Sequence, residues 1–271
     1  MGTIFCVGDI MIQLFPRDPD VQLQDTLYFK KEIGGGAAVS AYSVACLGGR
    51  SAFIGNICSD GFGNYLRYVL KSAGVSLADT AVGGNDTPII LVRGLKNGNY
   101  ARIYQAEFAY TGEEKFPSFH VSKQDLIHLA PQYLSPDNVK SIRQIIDNAV
   151  LKNCRLSVNL DDWFTDAKEM KEIYTLVREE IEKFSFVFLS EQILDRVEKW
   201  IPEHDIEKIF KKADVFISFK KDGRIFLYQN DEKLKELSLP SIPMVNAVNL
   251  QAVFAGAFLK RCMASLTEEC D

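Results

Sequence analysis

The stretch NAVNLQAVFAG, residues 246–256, follows the prolines of LPSIPMV and runs into a helix of small residues. A loop at a helix entry holds phosphate when glycines let backbone N–H groups approach it, and it serves phosphoryl transfer when a carboxylate there takes the acceptor's proton. Between Asn246 and Ala255 there is neither a glycine nor an acid. Near the start of the chain, TIFCVGDIMIQLF (3–15) is a β-branched and apolar run broken by Gly8-Asp9, as expected of a buried strand that ends at a ligand-facing edge. Asp9 is then either a ligand contact or a polar residue capping a turn. KKDG (220–223) offers Lys220 and Lys221 to a phosphate as point charges, or is simply a solvated β-turn. Metal ligation finds no pattern: His120, His128 and His204 lack ligand spacing and read as structural or surface histidines. Cys6, Cys46, Cys58, Cys154, Cys262 and Cys270 lack C-x-x-C spacing and read as buried reduced thiols.

The elements that must position these residues alternate. GGGAAVSAYSVACLGG (34–49) begins with glycines, continues with small residues at helical spacing and stops at Gly48-Gly49. SAFIGNI then reads as a strand and GFGNYLRYVLKSAGV as a helix. Later strands are expected at LIHLA, RLSVNL, FVFLS and VFISF, separated by helices such as DAKEMKEIYTLVREEIEKF, and RIFLYQNDEKLKELSL reads as a hairpin. In residues 87–106, two extended runs flank KNGN, which favours a tight antiparallel hairpin outside the main sheet. The expectation is an α/β fold, a doubly wound and mainly parallel sheet, formed by one domain over 1–271 with a small β flap or lid from about 14–33 and 87–106. The 271 residues carry a net charge of −5, which argues against a general grip on nucleic acid or anionic lipid. No apolar run reaches the roughly 18 residues of a membrane span, and MGTIFCVGD lacks the pattern of a signal peptide, so a cytoplasmic protein is expected.

On these residues the chain resembles the ribokinase or PfkB group of carbohydrate kinases, especially its fructokinase-like members. GGGAAVSAYSVACLGG is similar to the family's G-G-A-P-A-N-V-A-x-A-L-A-R-L-G-G and keeps Gly34, Gly35, Ala41, Ala45, Leu47, Gly48 and Gly49. Asp60, Phe62 and Gly63 match its D-x-F-G. LSVNLDDW, VFLSEQIL and VFISFKKDGRIFLY resemble its S-x-D-P-N-L-R, N-x-x-E and T-L-G-x-x-G segments. PMVNAVNLQAVFAGAFL aligns with P-V-V-D-T-T-G-A-G-D-A-F-V-G-G-F-L through Pro243, Val245, Phe254, Gly256, Phe258 and Leu259.

The resemblance implies a sugar kinase that uses ATP and Mg2+, and it also locates what has changed. The family's catalytic base falls on Ala252, and its anion-hole glycines fall on Asn249, Leu250 and Gln251; shifting the register by one puts Gln251 in the acid's place, and a carboxamide is no base. The substrate positions are Asp9, Gln13, Gly34, Gly35 and Val39, with Gln13 in place of an acid and Val39 in place of an asparagine. The nucleotide positions are Asn159, Ser218, Lys220 and Gly223. Ser157 and Asp161 replace an acid and an arginine, and Ile193 replaces the magnesium-organising glutamate. The chain is also short for the family beyond Ala252. The expected function is a carbohydrate-kinase-like pseudoenzyme that binds a small sugar or nucleoside or serves assembly. The alternative is an active ATP-dependent sugar kinase in which Asp60, Asp161, Asp162 or Glu191 acts as the base. A homodimer through the flap is implied in either case. A dinucleotide-binding fold is disfavoured because GGGAAVS lacks G-x-G-x-x-G spacing.

Overall fold

Strand β1 (Ile4–Gly8) is buried on both faces, with Ile4 and Cys6 in one core cluster and Phe5 and Val7 in the other. A strand of this kind belongs inside a parallel sheet covered by helices on either side. In the computed structural model, which describes residues 2–18, 21, 23–84, 86–94, 100–105, 116–130, 136–160, 174–197, 206–238 and 249–268, it lies in that position. β1 pairs in parallel with β4 (Ser51–Ile54) and β9 (Leu126–Ala130). β10 (Arg155–Leu160), β11 (Phe186–Ser190) and β12 (Val215–Phe219) continue the parallel run. β13 (Arg224–Gln229) and β14 (Glu232–Ser238) close it as an antiparallel hairpin, giving the order β14-β13-β12-β11-β10-β9-β1-β4. The four apolar runs from 126 onward fall on β9 to β12 as the sequence indicates.

Two differences from that expectation concern short strands. SAFIGNI divides at Gly55: β4 stays in the main sheet, whereas β5 (Asn56–Ile57) leaves it to pair with β6 (Ala81–Val82). The run 3–15 likewise divides, because β2 (Met11–Pro16) turns out of the main sheet after Asp9 and pairs antiparallel with β3 (Phe29–Gly34). β7 (Ile89–Gly94) and β8 (Tyr100–Gln105) form the antiparallel hairpin, but β7 also joins β2 in parallel, so one four-stranded sheet of order β3-β2-β7-β8 results. The KNGN turn lies outside the described residues.

Helices α1 (Gly36–Cys46), α2 (Gly61–Ala73), α3 (Pro136–Leu151), α4 (174–179), α5 (Glu191–Val197), α6 (Ile206–Phe210) and α7 (Leu250–Glu268) cover the sheet. Of the expected helix over 166–184, the part described is α4 followed by a 3-10 turn at Ile181–Lys183. Ala37, Ala38 and Ala41 are fully buried, and small side chains there let α1 lie close to β1 and to α7. At their crossing a Cβ on Gly256 would stand 2.6 Å from the Ser40 carbonyl oxygen. The same Ser40 donates its hydroxyl to the Ala252 carbonyl at 3.0 Å. Among the described residues no helix is long and apolar enough to cross a membrane.

None of the five described cysteines is in a disulfide, but they are not uniformly buried: Cys6 and Cys154 are, whereas Cys46 is exposed at the end of α1. Burial raises the Cys6 thiol and pushes Cys154 up to about 11, so neither is reactive at neutral pH. His120 is exposed, His204 lies outside the described residues, and His128 sits wholly buried in β9. Its Nδ1 meets the Ser157 hydroxyl at 3.0 Å and its ring stands edge-on to Phe188. Burial drives its pKa down to about 3, so the imidazole stays neutral in the folded protein.

Two outcomes follow from this packing. Gly256→Ala lowers stability by about 1–3 kcal/mol, read as a lower urea midpoint, because the extra methyl forces α7 off α1. His128 contributes a pH dependence: an unfolded histidine takes up a proton near pH 6.5 and the folded one does not. Its contribution is therefore complete above about 6.5 and is lost progressively as pH falls toward 3. The urea midpoint of the wild type drops between pH 7 and pH 4 by more than that of His128→Phe.

Candidate functional site

The last turn before α7 and the second sheet meet through side-chain amides. Gln13, fully buried on β2, donates from Nε2 to Asn249 Oδ1 at 3.2 Å, and Asn249 Nδ2 donates back to Gln13 Oε1 at 2.9 Å. Asn249 Nδ2 also points to the Ile33 carbonyl of β3 at 3.4 Å. The Gln13 side chain lies over Gly34, where a Cβ would stand 2.6 Å from Gln13 Cγ. Gly35 supplies the adjoining turn with φ +96°, and a Cβ there would meet the Asp9 carbonyl oxygen at 2.2 Å. Only glycine fits a backbone of that hand at that approach. Asp9 is 3% exposed, and Val39 is buried in the first turn of α1. The residues expected at a substrate site therefore converge, and the Gln13 carboxamide occupies the space where a Gly34 side chain would stand.

A second amide bridge lies in the first turn of α7. Gln251 Nε2 donates to Asn159 Oδ1 at 2.6 Å and reaches the Leu160 carbonyl at 3.5 Å. Asn159 Nδ2 is buried and has no partner among the described residues. The residue expected to meet nucleotide is thus bonded to one expected to meet phosphate. Leu250 opens α7, and Ala252 is 3% exposed and contributes a methyl group.

The other residues expected to meet nucleotide stand apart. Ser218 aligns with Leu189 and faces the cluster of Phe216, whereas Asn159 aligns with Phe188 and faces the cluster of α7, so the two point to opposite sides of the sheet. Lys220, expected in a solvated turn, is instead tucked in, with its side chain 13% exposed. Its Nζ lies 3.8 Å from Glu191 and 3.7 Å from Glu207, above the Phe226 ring. A phosphate there would compete with two carboxylates already in place. Gly223 has φ +83° and closes the β-turn by donating its N–H to the Lys220 carbonyl. Ile193 is buried in the core and offers no oxygen.

Two of the acids considered as alternative bases are engaged. Asp60 caps α2, accepting from the Gly63 amide at 2.7 Å, and it holds the Thr87 amide and hydroxyl. Burial pushes its carboxyl up, but the Thr87 and Gly63 hydrogen bonds, with one from Phe62, outweigh that and hold it below the usual aspartate value. Glu191 accepts from the Lys221 amide at 3.0 Å and faces Lys220. Asp161 and Asp162 lie outside the described residues.

Residues 1–265 match the family described as pfkB family carbohydrate kinase. The chain belongs to that family. Among curated relatives, fructokinase from Solanum tuberosum is 27% identical over 221 residues, 80% of this chain and 60% of that protein. Fructokinase-2 from Solanum habrochaites is 40% identical over 74 residues, 27% of this chain and 23% of the relative. The chain therefore spans less than two thirds of the length of these relatives. Among solved structures, fructokinase from Xylella fastidiosa superposes with TM-score 0.71 at 20% identity, covering 99% of this chain and 86% of that one. The 2-dehydro-3-deoxygluconokinase of Thermotoga maritima gives 0.76 at 17%, covering 98% and 88%. The pfkB architecture and the fructokinase-like resemblance are both met.

The two amide bridges of this pfkB chain were not found by motif alignment. The signal available was the appearance of three carboxamides, Gln13, Asn249 and Gln251, at positions where the family has an acid or glycines. Gln13→Ala leaves the Asn249 amide short of a partner and costs about 1–3 kcal/mol in urea unfolding. Adding Asn249→Ala costs less than the sum of the two single changes, with a coupling of at least about 0.5 kcal/mol.

Proposed function

We propose that this pfkB protein is impaired in catalysis and acts as a small-molecule-binding or assembly module. The Gln13–Asn249 amide pair carries this reading, since it joins a substrate position to an anion-hole position through the protein's own side chains. Phosphoryl transfer to a hydroxyl needs a proton acceptor, and Ala252 has none; losing a general base costs roughly 10²- to 10⁴-fold. Losing one anion-hole donor costs a further 10²- to 10³-fold or so. Among the described residues the donor set does not fit Mg2+ and ATP. Ile193 supplies no oxygen, Asn159 is committed to Gln251, and Lys220 is held between Glu191 and Glu207.

The ligand in this reading is a sugar or nucleoside that displaces the Gln13 side chain to reach Asp9 and the Gly34–Gly35 turn, and the site of action is the cytoplasm. Assembly is a homodimer through the second sheet, whose edge strand β3 and the residues before it leave Leu27, Tyr28 and Phe29 in water. The second reading, an ATP-dependent sugar kinase, is favoured by the fructokinase names of the relatives.

ADP release measured with Mg-ATP over fructose, other sugars and nucleosides separates the two. The expected turnover is at least about 10⁴-fold below that of potato fructokinase run alongside. Turnover comparable to that enzyme overturns the impaired reading. In thermal-shift assays the sugar or nucleoside that binds raises the melting temperature by mass action.

A further inference from the structure

Away from α7, the helix α2, the β5–β6 pair and the loop between them enclose a half-open cavity of about 290 Å³. Its floor is apolar, formed by Ile57, Leu77 and Val82, and Val82 is left 60% exposed. Two cations stand on its wall, Arg67 and Lys71, four residues apart and therefore side by side on α2. Arg67 is oriented by hydrogen bonds to the Cys58 carbonyl at 3.3 Å and to the Asn64 carboxamide, which leaves part of its fork of donors unspent. No carboxylate lines the cavity, and Lys71 makes no ion pair among the described residues. The Thr80 hydroxyl is directed to the Phe53 carbonyl at 2.6 Å, so the donors available to a guest are cationic.

We propose that this cavity binds a small carboxylate with a compact apolar body. The body covers Ile57, Leu77 and Val82, and the carboxylate lies between Lys71 and Arg67. A volume near the lower end of small-molecule sites, roughly 300 Å³, suits an acid of one ring or a branched chain and is too small for a nucleotide. The apolar floor separates such a guest from inorganic phosphate, which can use the cations and nothing else. The site shares no residue with the amide bridges and is independent of whether the chain transfers phosphate.

Benzoate titrated into the full chain by calorimetry tests this, with benzamide and inorganic phosphate as controls. Saturable benzoate binding in the millimolar range is expected. Benzamide and phosphate each bind at least about fivefold more weakly, the ratio given by roughly 1 kcal/mol of attraction at a half-exposed charge. Lys71→Gln weakens benzoate by a similar factor and Lys71→Glu by more, with melting temperatures unchanged because Lys71 is exposed. Absence of saturable benzoate binding overturns the proposal. So does benzamide or phosphate binding as tightly as benzoate, or benzoate affinity unchanged in Lys71→Glu.

Discussion

The close approach of α7 to α1 is the constraint on which the candidate site rests. Ser40 is in contact twice: its carbonyl oxygen meets Gly256, where no side chain fits, and its hydroxyl donates to the Ala252 carbonyl. These contacts fix the depth and rotation of the first turns of α7. Asn249 is thereby delivered to β2, and Gln251 to the end of β10. Moving the helix by the radius of a methyl group would separate both pairs, so packing between small residues and the polar chemistry above it form one system.

The carboxamides of Gln13 and Asn249 satisfy one another chemically. A carboxamide carries both a donor and an acceptor, so two of them facing each other satisfy both without any charge. A carboxylate at the Gln13 position would accept from Asn249 but would leave the amide oxygen of Asn249 facing an anion in a buried place, at a cost in desolvation. Neutral pairing therefore joins β2 to the start of α7 without placing a charge in a buried place. Charge is found instead at the far end of β12, where Lys220 lies between Glu191 and Glu207, and Lys221 pairs with Asp195. Both sets of contacts join elements distant in sequence.

The main sheet was legible because its strands are continuous apolar runs: LIHLA, RLSVNL, FVFLS and VFISF each became one buried strand. A run buried on both faces has few alternatives to a parallel sheet. The divisions at Asp9 and Gly55 were less legible, since local pattern does not say which of two sheets a short strand joins. The glycine turn at 34–35 and the positions of Gln13 and Asn249 could be aligned to motifs, yet their bonding to each other could not. The two residues are 236 apart, and only the α1–α7 crossing brings them together. Lys220 shows the reverse error. KKDG has the composition of a solvated turn, but β12 delivers its first lysine to two glutamates on other elements, which local composition cannot report.

Fold and catalysis place different demands on the same segment. The fold needs Ala255, Gly256 and Leu259 to face α1 and the sheet, and these keep their small or apolar character. Catalysis needs one carboxylate and several exposed N–H groups within a single turn, which neighbouring packing does not enforce. In that turn Asn249 and Gln251 have partners in Gln13 and Asn159. The buried Asn159 Nδ2 has no partner among the described residues. The bridge uses the Asn159 oxygen alone, so the Gln251–Asn159 pair makes one hydrogen bond where the Gln13–Asn249 pair makes two.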